Sequence, residues 1–599
     1  MDRNTFTGLF LIMIILAGSF YFFGPNDAEI KKENARIDST KRADSLRNAG
    51  IKPVQKDTSA VIATPVADSS AIKGPFGTAL NGTESNTLLE NENLIITLSN
   101  KGGKISSVQV KGQKTYTGKP LILFDGSANK FGLTLNAAGK VINTNDLYFT
   151  PTKTGNTVTM RANYNADAYV EYVYDLKGLT NKVGFNINLV GLQQVIAGNN
   201  IGLNWQTTLL QQEKSIESEH RYSAPYYKYL DGDVDHLSVS KDEKEELSKG
   251  KIQWFSFKQH FFSATLIAKQ GFEKGSLEVK IPTAPGQVKF YDANMELPYT
   301  HTATQVYDLE FYFGTNKFSA LKDQGYELEK QVDLGYWPLK YINRFIVLPV
   351  FNFLNNFGWN FGLIILVLTI LLKVALSPLT YKSYLSMAKM RVLKPEMDEI
   401  KAKVGEDNPT LVQQEYLKLY KKAGVNPLGG CLPMLLQLPL VMAFFFFFPN
   451  LFELRGESFL WMKDLSTYDE FIKFGFKVPF IGDHLSLMCV LMTISTLIMT
   501  YFNNQVSGAT GQMKYIGYIM PIIFLGVLNS YPAGLNYYYF LANLMTFGQQ
   551  FLIRKMVDDD KIHALIQQNK ARPADEKKKK SKFQQRLDDY MRQQQQAKK

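Results

Sequence analysis

The sequence divides into apolar segments and one long polar stretch. Six segments are rich in large apolar residues, at 6–23, 359–380, 431–449, 485–502, 515–530 and 535–553, whereas residues 24–335 are polar and mixed. An α-helix needs about 20 apolar residues to cross the hydrocarbon core of a bilayer. The pattern therefore predicts a polytopic α-helical membrane protein, with six transmembrane helices and one large domain outside the membrane.

Lys373 is the only charged residue in the second apolar segment, 359–380. An ammonium group at the centre of a transmembrane helix costs roughly 2.5–3.5 kcal/mol on insertion scales, which suggests a polar cavity inside the membrane. Thr369 precedes it by one helical turn and lies on the same helix face. A second interpretation stays open: Pro378 follows by about 7.5 Å along a helix, so the lysine stem could instead reach the cytoplasmic headgroups.

Further hydrogen-bonding side chains occur in the later apolar segments. Gln437 lies in the third segment and Asn543 in the sixth. Such residues commonly form hydrogen bonds between transmembrane helices, with roughly 0.6–2 kcal/mol for each bond. Prolines at 433, 439, 449 and 521 interrupt two of the segments, which favours a loosely packed, open bundle.

The charge distribution orients the predicted helices. The formal net charge is +12, and lysine and arginine concentrate in the loop 381–428 and in the tail that begins at Arg554. Cytoplasmic loops carry an excess of these residues, so the loop and both termini are predicted to be cytoplasmic and residues 24–335 to be exported. The first segment ends in Phe23 and a poor cleavage site, so residues 1–24 are predicted to remain as a transmembrane anchor.

The exported part has three predicted regions. Residues 25–75 are polar and poor in large apolar side chains, which is typical of a flexible tether. Residues 76–330 contain many short alternating runs separated by turn residues, which predicts an all-β sandwich. Its charged segment 241–249 is expected to form an exposed loop or a short helix. Residues 331–357 mix aromatic and basic residues and predict an amphipathic helix in the membrane interface.

The cytoplasmic regions have a distinct pattern. The predicted five-helix core, residues 358–553, contains the loop 381–428 as a helical hairpin. Asn408 is a good N-cap and Pro409 suits the first position of the second helix, while Pro395 is expected to start or kink the first. Residues 554–599 form a basic cytoplasmic tail that is charged and glutamine-rich after Lys561, and it is expected to be helical or disordered, without a core.

No motif for catalysis or cofactor binding is present. The sequence contains no glycine-rich phosphate loop, no paired-histidine metal spacing and no nucleophile elbow, and Cys431 and Cys489 both lie in apolar segments. We therefore expect no enzymatic activity and no cofactor. A secondary transporter using Lys373 is an alternative, but it predicts inverted repeats and acidic partners within the spans, and the sequence has neither. A sugar-modifying exported module would need a clustered acid–base pair, which is also lacking.

Several longer motifs resemble one known family. They are Met387–Glu396, Tyr420–Met434, Gln437–Pro439, Tyr531–Leu535, and Tyr538 and Tyr539 together with Asn543 and Leu544. The exported part adds Asn100–Gly103, Trp254 and Lys258–Phe262. Together these motifs closely resemble the YidC family of membrane protein insertases, in the bacterial form that has a large periplasmic domain. The resemblance extends over nearly the whole chain.

This resemblance implies a site. In the family, the five spans after the β-domain form a hydrophilic groove that is open to the cytoplasm and to lipid. The groove cation corresponds to Lys373, although family members have arginine at that position. Lysine keeps the charge but lacks the planar fork that binds a carboxylate through two nitrogens. The resemblance assigns groove or substrate contacts to Thr369, Gln437, Tyr538, Tyr539 and Asn543, and places Lys389, Arg391 and Lys394 in a hairpin that receives the client.

The resemblance also implies a location and partners. The chain is expected in the bacterial inner membrane, with residues 24–335 in the periplasm. Expected partners are nascent membrane proteins, the Sec translocon and its accessory subunits, membrane lipids, and the ribosome through the basic tail. The working unit is expected to be a monomer or a weak dimer.

Overall fold

The computed structural model describes residues 76–571 apart from 177, 179, 406–408, 426–431 and 508–511. The predicted anchor (1–24), the predicted tether (25–75), the N-cap residue Asn408, Cys431 and the tail beyond residue 571 lie outside the described residues. Two kinds of structure make up the described chain. Residues before about 316 form β-sheets, and those after about 338 are mainly helical.

The β-rich region is built from short and medium-length strands. They are β1 (Asn86–Glu90), β2 (Leu94–Ser99), β3 (Lys104–Lys114), β4 (Pro120–Ile122), β5 (Lys130–Ala137), β6 (Lys140–Asn143), β7 (Thr150–Thr154), β8 (Thr157–Asn163), β9 (Tyr169–Asp175), β10 (Lys182–Val190), β11 (Asn200–Leu210), β12 (Ala224–Tyr229), β13 (Val234–His236), β14 (Glu243–Leu247), β15 (Ile252–Lys258), β16 (Phe262–Phe272), β17 (Lys274–Lys280), β18 (Gln287–Pro298) and β19 (Thr304–Thr315). A further pair, β20 (Ile472–Val478) and β21 (Gly482–Leu485), lies between two helices of the second half.

Two large antiparallel sheets form the predicted sandwich, which is thereby confirmed. One sheet has the order β13-β12-β15-β16-β19-β10-β9-β8-β7 and the other β14-β17-β18-β11-β5-β6, while β1-β2-β3-β4 form a smaller third sheet. Alternation of apolar and polar residues explains the burial: every second residue of β10 and of β11 is buried. Apolar faces of both sheets therefore meet in one core.

Trp205 lies at the centre of this core. It is 1% exposed, and its ring on β11 packs against Phe257 of β15 at 4.6 Å and Phe311 of β19 at 5.5 Å between centroids. Its indole nitrogen donates to Asn129 Oδ1 at 2.8 Å, so the one polar atom of the ring is satisfied. Aromatic packing across the two sheets thus joins strands that are far apart in sequence.

The charged segment 241–249 does not form a loop or a short helix. Its residues Glu243–Leu247 are strand β14, which pairs antiparallel with β17 at one edge of its sheet. Leu247 is fully buried, and Lys244 is opposite Glu278. Charges are tolerated on this strand because it is an edge, where lysine and glutamate also discourage pairing with other chains.

Helices dominate the second half of the described chain. They are α1 (Ile216–Tyr222), α2 (Phe318–Gln324), α3 (Leu339–Ile342), α4 (Leu348–Asn355), α5 (Phe361–Val392), α6 (Lys394–Val404), α7 (Pro409–Ala423), α8 (Leu432–Asn450), α9 (Leu487–Ser507), α10 (Gln512–Leu528), α11 (Ala533–Met556) and α12 (Asp559–Ala571). Helix α1 belongs to the β-rich region, and a π-helical turn, Asn343–Val347, joins α3 to α4.

Membrane-spanning character is clearest in two helices. By length and composition, Phe361–Val392 and Leu487–Asn504 are able to cross a membrane, and Gln437–Asn450 and Tyr515–Leu528 are shorter apolar helices. With 32 residues, α5 measures about 48 Å, which exceeds the roughly 30 Å hydrocarbon core. A helical core beside a β-rich domain is thus established, whereas the numbers of six spans and five core helices stay predictions.

Part of the tail folds against α5, α6 and α7, contrary to expectation. Helix α12 buries Ile562 and Ile566 in a small apolar cluster with residues of α5 and α7. Lys570 forms an ion pair with Glu396 of α6. The charged composition concealed this core because only two apolar residues, one turn apart, face the neighbouring helices.

The β-rich region and the helices share one hydrophobic cluster. It contains Trp254 of β15, Leu328, Phe351 of α4 and Phe448 of α8, together with Tyr538 of α11. The Trp254 indole donates to the Tyr326 carbonyl at 2.9 Å. Continuous apolar packing of this kind fixes the sandwich against the helices.

Candidate functional site

Helices α5, α9 and α11 contact one another and enclose a layer of polar side chains. We refer to this set as the polar layer: Thr369, Lys373, Ser495, Thr496, Asn543, Thr546 and Gln549. On the opposite side of α5, Leu371 and Val374 are 47% and 58% exposed. The polar residues therefore face the inside of the bundle, while apolar residues face outward.

Lys373 is bound inside the polar layer. Its side chain is 6% exposed, and its Nζ donates to Thr546 Oγ1 of α11 at 2.8 Å. The Lys373 carbonyl accepts from Gln549 Nε2 at 2.9 Å, while Thr546 donates to its own helix at Ala542 O. The lysine is thus oriented towards α11 and does not extend along the helix towards the end of the span.

The charge of Lys373 has no acidic partner among the residues that the structure describes. In that part of the chain, no carboxylate lies within ion-pair distance of Nζ; Thr546, a neutral hydroxyl, is its side-chain acceptor. An ammonium group in a low-dielectric site attracts anions more strongly than one in water. The arrangement can therefore hold an anionic or strongly polar group that enters the layer.

Asn543 connects α11 to α9. Its Nδ2 donates to Ser495 Oγ at 2.9 Å and to Thr496 Oγ1 at 2.8 Å, and both hydroxyls donate to Met492 O. Thr369 is fully buried and donates within its own helix, to Ile365 O at 2.7 Å. Both predicted residues thus lie near Lys373, with hydrogen bonds inside the bundle.

Tyr538, Tyr539 and Gln437 lie towards α8. The Tyr538 ring is 1% exposed and packs on Phe444 with 4.2 Å between centroids. Tyr539 donates its hydroxyl to Val441 O at 3.1 Å, and Gln437 is half-buried one turn before Val441 on α8. The two tyrosines therefore hold α8 against α11. They take no part in the hydrogen bonds of Lys373 described above.

The three cations predicted for the cytoplasmic hairpin differ in their surroundings. Arg391 donates to both carboxylate oxygens of Asp559 on α12, at 2.6 and 2.8 Å. Lys389 is half-buried near the end of α5, and Lys394 is exposed at the start of α6. Of the three predicted residues, Arg391 is thus engaged in a structural contact with the tail helix.

A second cluster of charged groups, which the sequence had not revealed, joins the sandwich to the helices. Arg455, after α8, donates its Nε to Glu213 Oε1 at 2.7 Å, and the two side chains are 9% and 10% exposed. His260 donates its Nε2 to Pro449 O at 2.7 Å. Glu219 is fully buried and accepts from Gln259 Nε2 at 2.7 Å. We call Glu213, Glu219, His260 and Arg455 the docking cluster.

Sequence reasoning missed this cluster because its members are distant along the chain. From the sequence, Lys258–Phe262 is only a family motif, and no pattern singles out Glu213, Glu219 or Arg455. An arginine a few residues after an apolar helix is a weak signal, since such residues are usually solvated. The contact depends on how the sandwich sits on α8.

Burial changes the protonation of the docking cluster. It raises the pKa of Glu213 to about 7, although Arg455 acts in the opposite direction. It raises the pKa of Glu219 to about 8, and the Glu213 charge adds to this effect. Between the usual glutamate pKa and these values, the folded chain binds more protons than the unfolded chain. The free energy of unfolding should therefore fall as the pH rises from about 4.5 to 8, by an amount on the order of a few kcal/mol.

A glutamine at position 219 should reduce this pH dependence. We expect Glu219→Gln to lose less stability than the parent between pH 5 and pH 8, because one of the two titrating carboxyls is gone. Urea-unfolding midpoints of the full chain in detergent, followed by tryptophan fluorescence, measure this. The other titrating groups are the same in both proteins. They include His260, whose pKa is lowered by burial to about 3. Glu273→Gln, at a partly exposed carboxyl, is the control. If stability depended on pH equally in the parent and in Glu219→Gln, Glu219 would not be one of the titrating groups.

Comparisons with known proteins cover both halves of the chain. Residues 87–352 match the family described as YidC periplasmic domain, and residues 352–561 match the family described as 60Kd inner membrane protein. The membrane protein insertase YidC of Parabacteroides distasonis is 38% identical over 629 residues, which cover 100% of this chain and 98% of the relative. That of Bacteroides fragilis is 38% identical over 617 residues, with the same coverage.

Solved structures that are similar at low identity include crystal structures of YidC. A crystal structure of an active YidC insertase with its first transmembrane domain resolved aligns with 78% of this chain and 92% of its own chain. The identity is 18% and the TM-score is 0.32.

Proposed function

Because the chain belongs to the YidC family of membrane protein insertases, we propose that it inserts membrane proteins into the bilayer through the polar layer around Lys373. The single observation that carries the proposal is the buried Lys373 ammonium, which is hydrogen-bonded to Thr546 and has no carboxylate within ion-pair distance among the described residues. A polar or acidic segment of a client enters this layer from the cytoplasm and pauses beside the ammonium.

Electrostatic attraction and hydrophobic partitioning drive the reaction. Two unit charges 4 Å apart interact by about 4 kcal/mol at an effective dielectric of 20, which offsets part of the dehydration of the client's tail. Apolar client residues contribute roughly −0.3 to −0.6 kcal/mol each when they enter the bilayer centre. A span of about 20 residues therefore supplies the net free energy, and no nucleotide is required.

The predicted contact residues divide into two groups in this mechanism. Thr369 and Asn543 keep the floor of a hydrophilic groove polar and hydrogen-bonded near Lys373. Tyr538, Tyr539 and Gln437 form the side of the groove next to α8. Since Tyr538 is packed on Phe444, client contact with this ring requires α8 to separate from α11. The groove is thus proposed to open between these two helices.

The remaining parts of the chain support delivery and location. The hairpin of α6 and α7, with Lys394 at its start and Lys389 at the end of the preceding helix α5, receives the client in the cytoplasm. The basic tail binds ribosomal RNA through phosphate attraction. The Sec translocon acts with the chain on larger clients. The proposed location is the bacterial inner membrane, with six spans, both termini in the cytoplasm and residues 24–335 in the periplasm. A transporter function has no support among the relatives.

Reconstitution of the full chain tests the proposed activity. Purified protein in proteoliposomes should protect a short single-spanning client from added protease, when the client is synthesised in a cell-free system without the Sec translocon. Removing ATP after synthesis should leave the protection unchanged, because partitioning drives insertion. Empty liposomes, and liposomes with an unrelated polytopic protein, are the controls. Equal protection in these controls would refute the proposal.

A further inference from the structure

The strands β20 and β21 form a hairpin that exposes large apolar side chains. Phe476 is 70% exposed and Phe480, at the turn, is 94% exposed, while Phe471 and Ile472 are 60% and 44% exposed. Burying one such side chain is worth about 1.5–3 kcal/mol. Contiguous exposed apolar groups of this kind mark an interaction surface.

The hairpin is held firmly at the end of α10. Asn529, fully buried directly after α10, donates to Ile481 O at 2.9 Å and His484 O at 2.7 Å and accepts from Ser486 N at 2.9 Å. The His484 ring also stacks on Tyr468 with 3.7 Å between centroids. The direction in which the tip points is therefore fixed by the fold.

The tip lies beside the last turn of α10. A Cβ atom at Gly526 would lie 2.5 Å from the Phe480 carbonyl oxygen, so the glycine permits this close approach. Gly526 is within about 3 Å of the helix end at Leu528, measured along the axis. The outward face of α10 is apolar and exposed at Ile522, Ile523 and Val527. In a membrane protein this face meets lipid, and Phe480 continues it.

The charges on the hairpin suit a phospholipid surface. Lys473 and Lys477 are exposed on β20 and alternate with Ile472, Phe474 and Phe476, so they project from the other face of the strand. Two acids lie nearby: Glu470 is 3.0 Å from Lys214 and 3.7 Å from Lys473, and Asp483 contacts the His484 ring at 2.9 Å. The local excess of positive charge can bind anionic headgroups.

We propose that the hairpin 471–485 is a membrane-seated element, in which Phe476 and Phe480 enter the outer leaflet beside α10 and Lys473 and Lys477 bind lipid phosphates. The aromatic rings occupy the boundary between headgroups and acyl chains, where such side chains are favoured. The hairpin thereby anchors the exported end of α10 at a fixed depth. The inference is independent of how clients are inserted.

Spin labels on the full chain in nanodiscs test this placement. Labels are attached at Phe480→Cys, Phe476→Cys and, as a control, at Val141→Cys, which is 74% exposed in the sandwich; Cys431 and Cys489 are first replaced by serine. Labels on the hairpin should show a several-fold higher ratio of oxygen to water-soluble nickel accessibility than the control. A ratio equal to that of Val141→Cys would overturn the proposal.

A second measurement separates lipid from protein partners. Phe480→Trp should be quenched by lipids brominated near the glycerol end of the chain, and Lys473→Gln with Lys477→Gln should reduce this quenching in nanodiscs with anionic lipid but not in zwitterionic ones. Absence of quenching would refute the insertion of Phe480 into the bilayer. The proposal would also be refuted if the label at position 480 became immobilised and protected from nickel only after a client polypeptide was added. The surface would then bind protein and not lipid.

Discussion

Replacing Lys373 with glutamate is expected to reduce the insertion of a short single-spanning client with an acidic exported tail at least about tenfold. The change turns attraction into repulsion at a site where close charges interact by about 4 kcal/mol, and about 1.4 kcal/mol already corresponds to tenfold. A glutamate would also compete for the Thr546 hydroxyl proton, which is now donated to Ala542 O. The measurement is protease protection of the client in proteoliposomes, or complementation of a depleted strain.

Two variants control this experiment. Lys382→Glu makes the same charge change on the same helix, at an exposed position, and should leave insertion nearly unchanged. Lys373→Arg keeps a positive charge at this position and should keep most of the activity. Unimpaired insertion by Lys373→Glu, with the protein folded and present at the parent level, would exclude a charge-based mechanism for this chain.

Removing the arginine of the docking cluster should have the largest effect on stability. We expect Arg455→Ala to lower the free energy of unfolding of the sandwich by about 3–5 kcal/mol, the usual result when one partner of a buried ion pair is deleted. The loss leaves Glu213 unpaired and removes the hydrogen bonds of Arg455 to Lys114 O and Gln113 Oε1. The loss should be smaller at pH 6 than at pH 8, because Glu213, whose pKa is raised by burial to about 7, can then take up a proton.

Urea unfolding of the full chain in detergent, followed by tryptophan fluorescence, measures this effect, since Trp205 and Trp254 are buried in the sandwich. The matched control is Lys251→Ala, which removes a partly exposed ion pair with Glu273 at 2.7 Å and should change stability by at most about 1 kcal/mol. If Arg455→Ala and Lys251→Ala destabilise the protein equally, the docking cluster does not hold the sandwich on the helices.

Local pattern predicted the elements of the fold more reliably than their contacts. The period-two alternation of β10 and β11 and the apolar run of α5 identify their own structure, because side-chain periodicity reflects which face is buried. The same rule failed for the charged edge strand β14. It also missed β20 (Ile472–Val478), which lies in the connection between the apolar helices α8 and α9. Both errors arise where a strand is not half-buried in a core.

The sequence by itself determined the division into an exported β-domain and an apolar helical part, and it marked Lys373 as a costly charge within the second predicted span. Only the tertiary structure decided which groups meet that charge. Thr546 is 173 residues away along the chain, and Glu213 is 242 residues from Arg455. Periodicity and hydropathy report each segment's preference for water or lipid, whereas partners across such distances depend on how whole elements pack against one another.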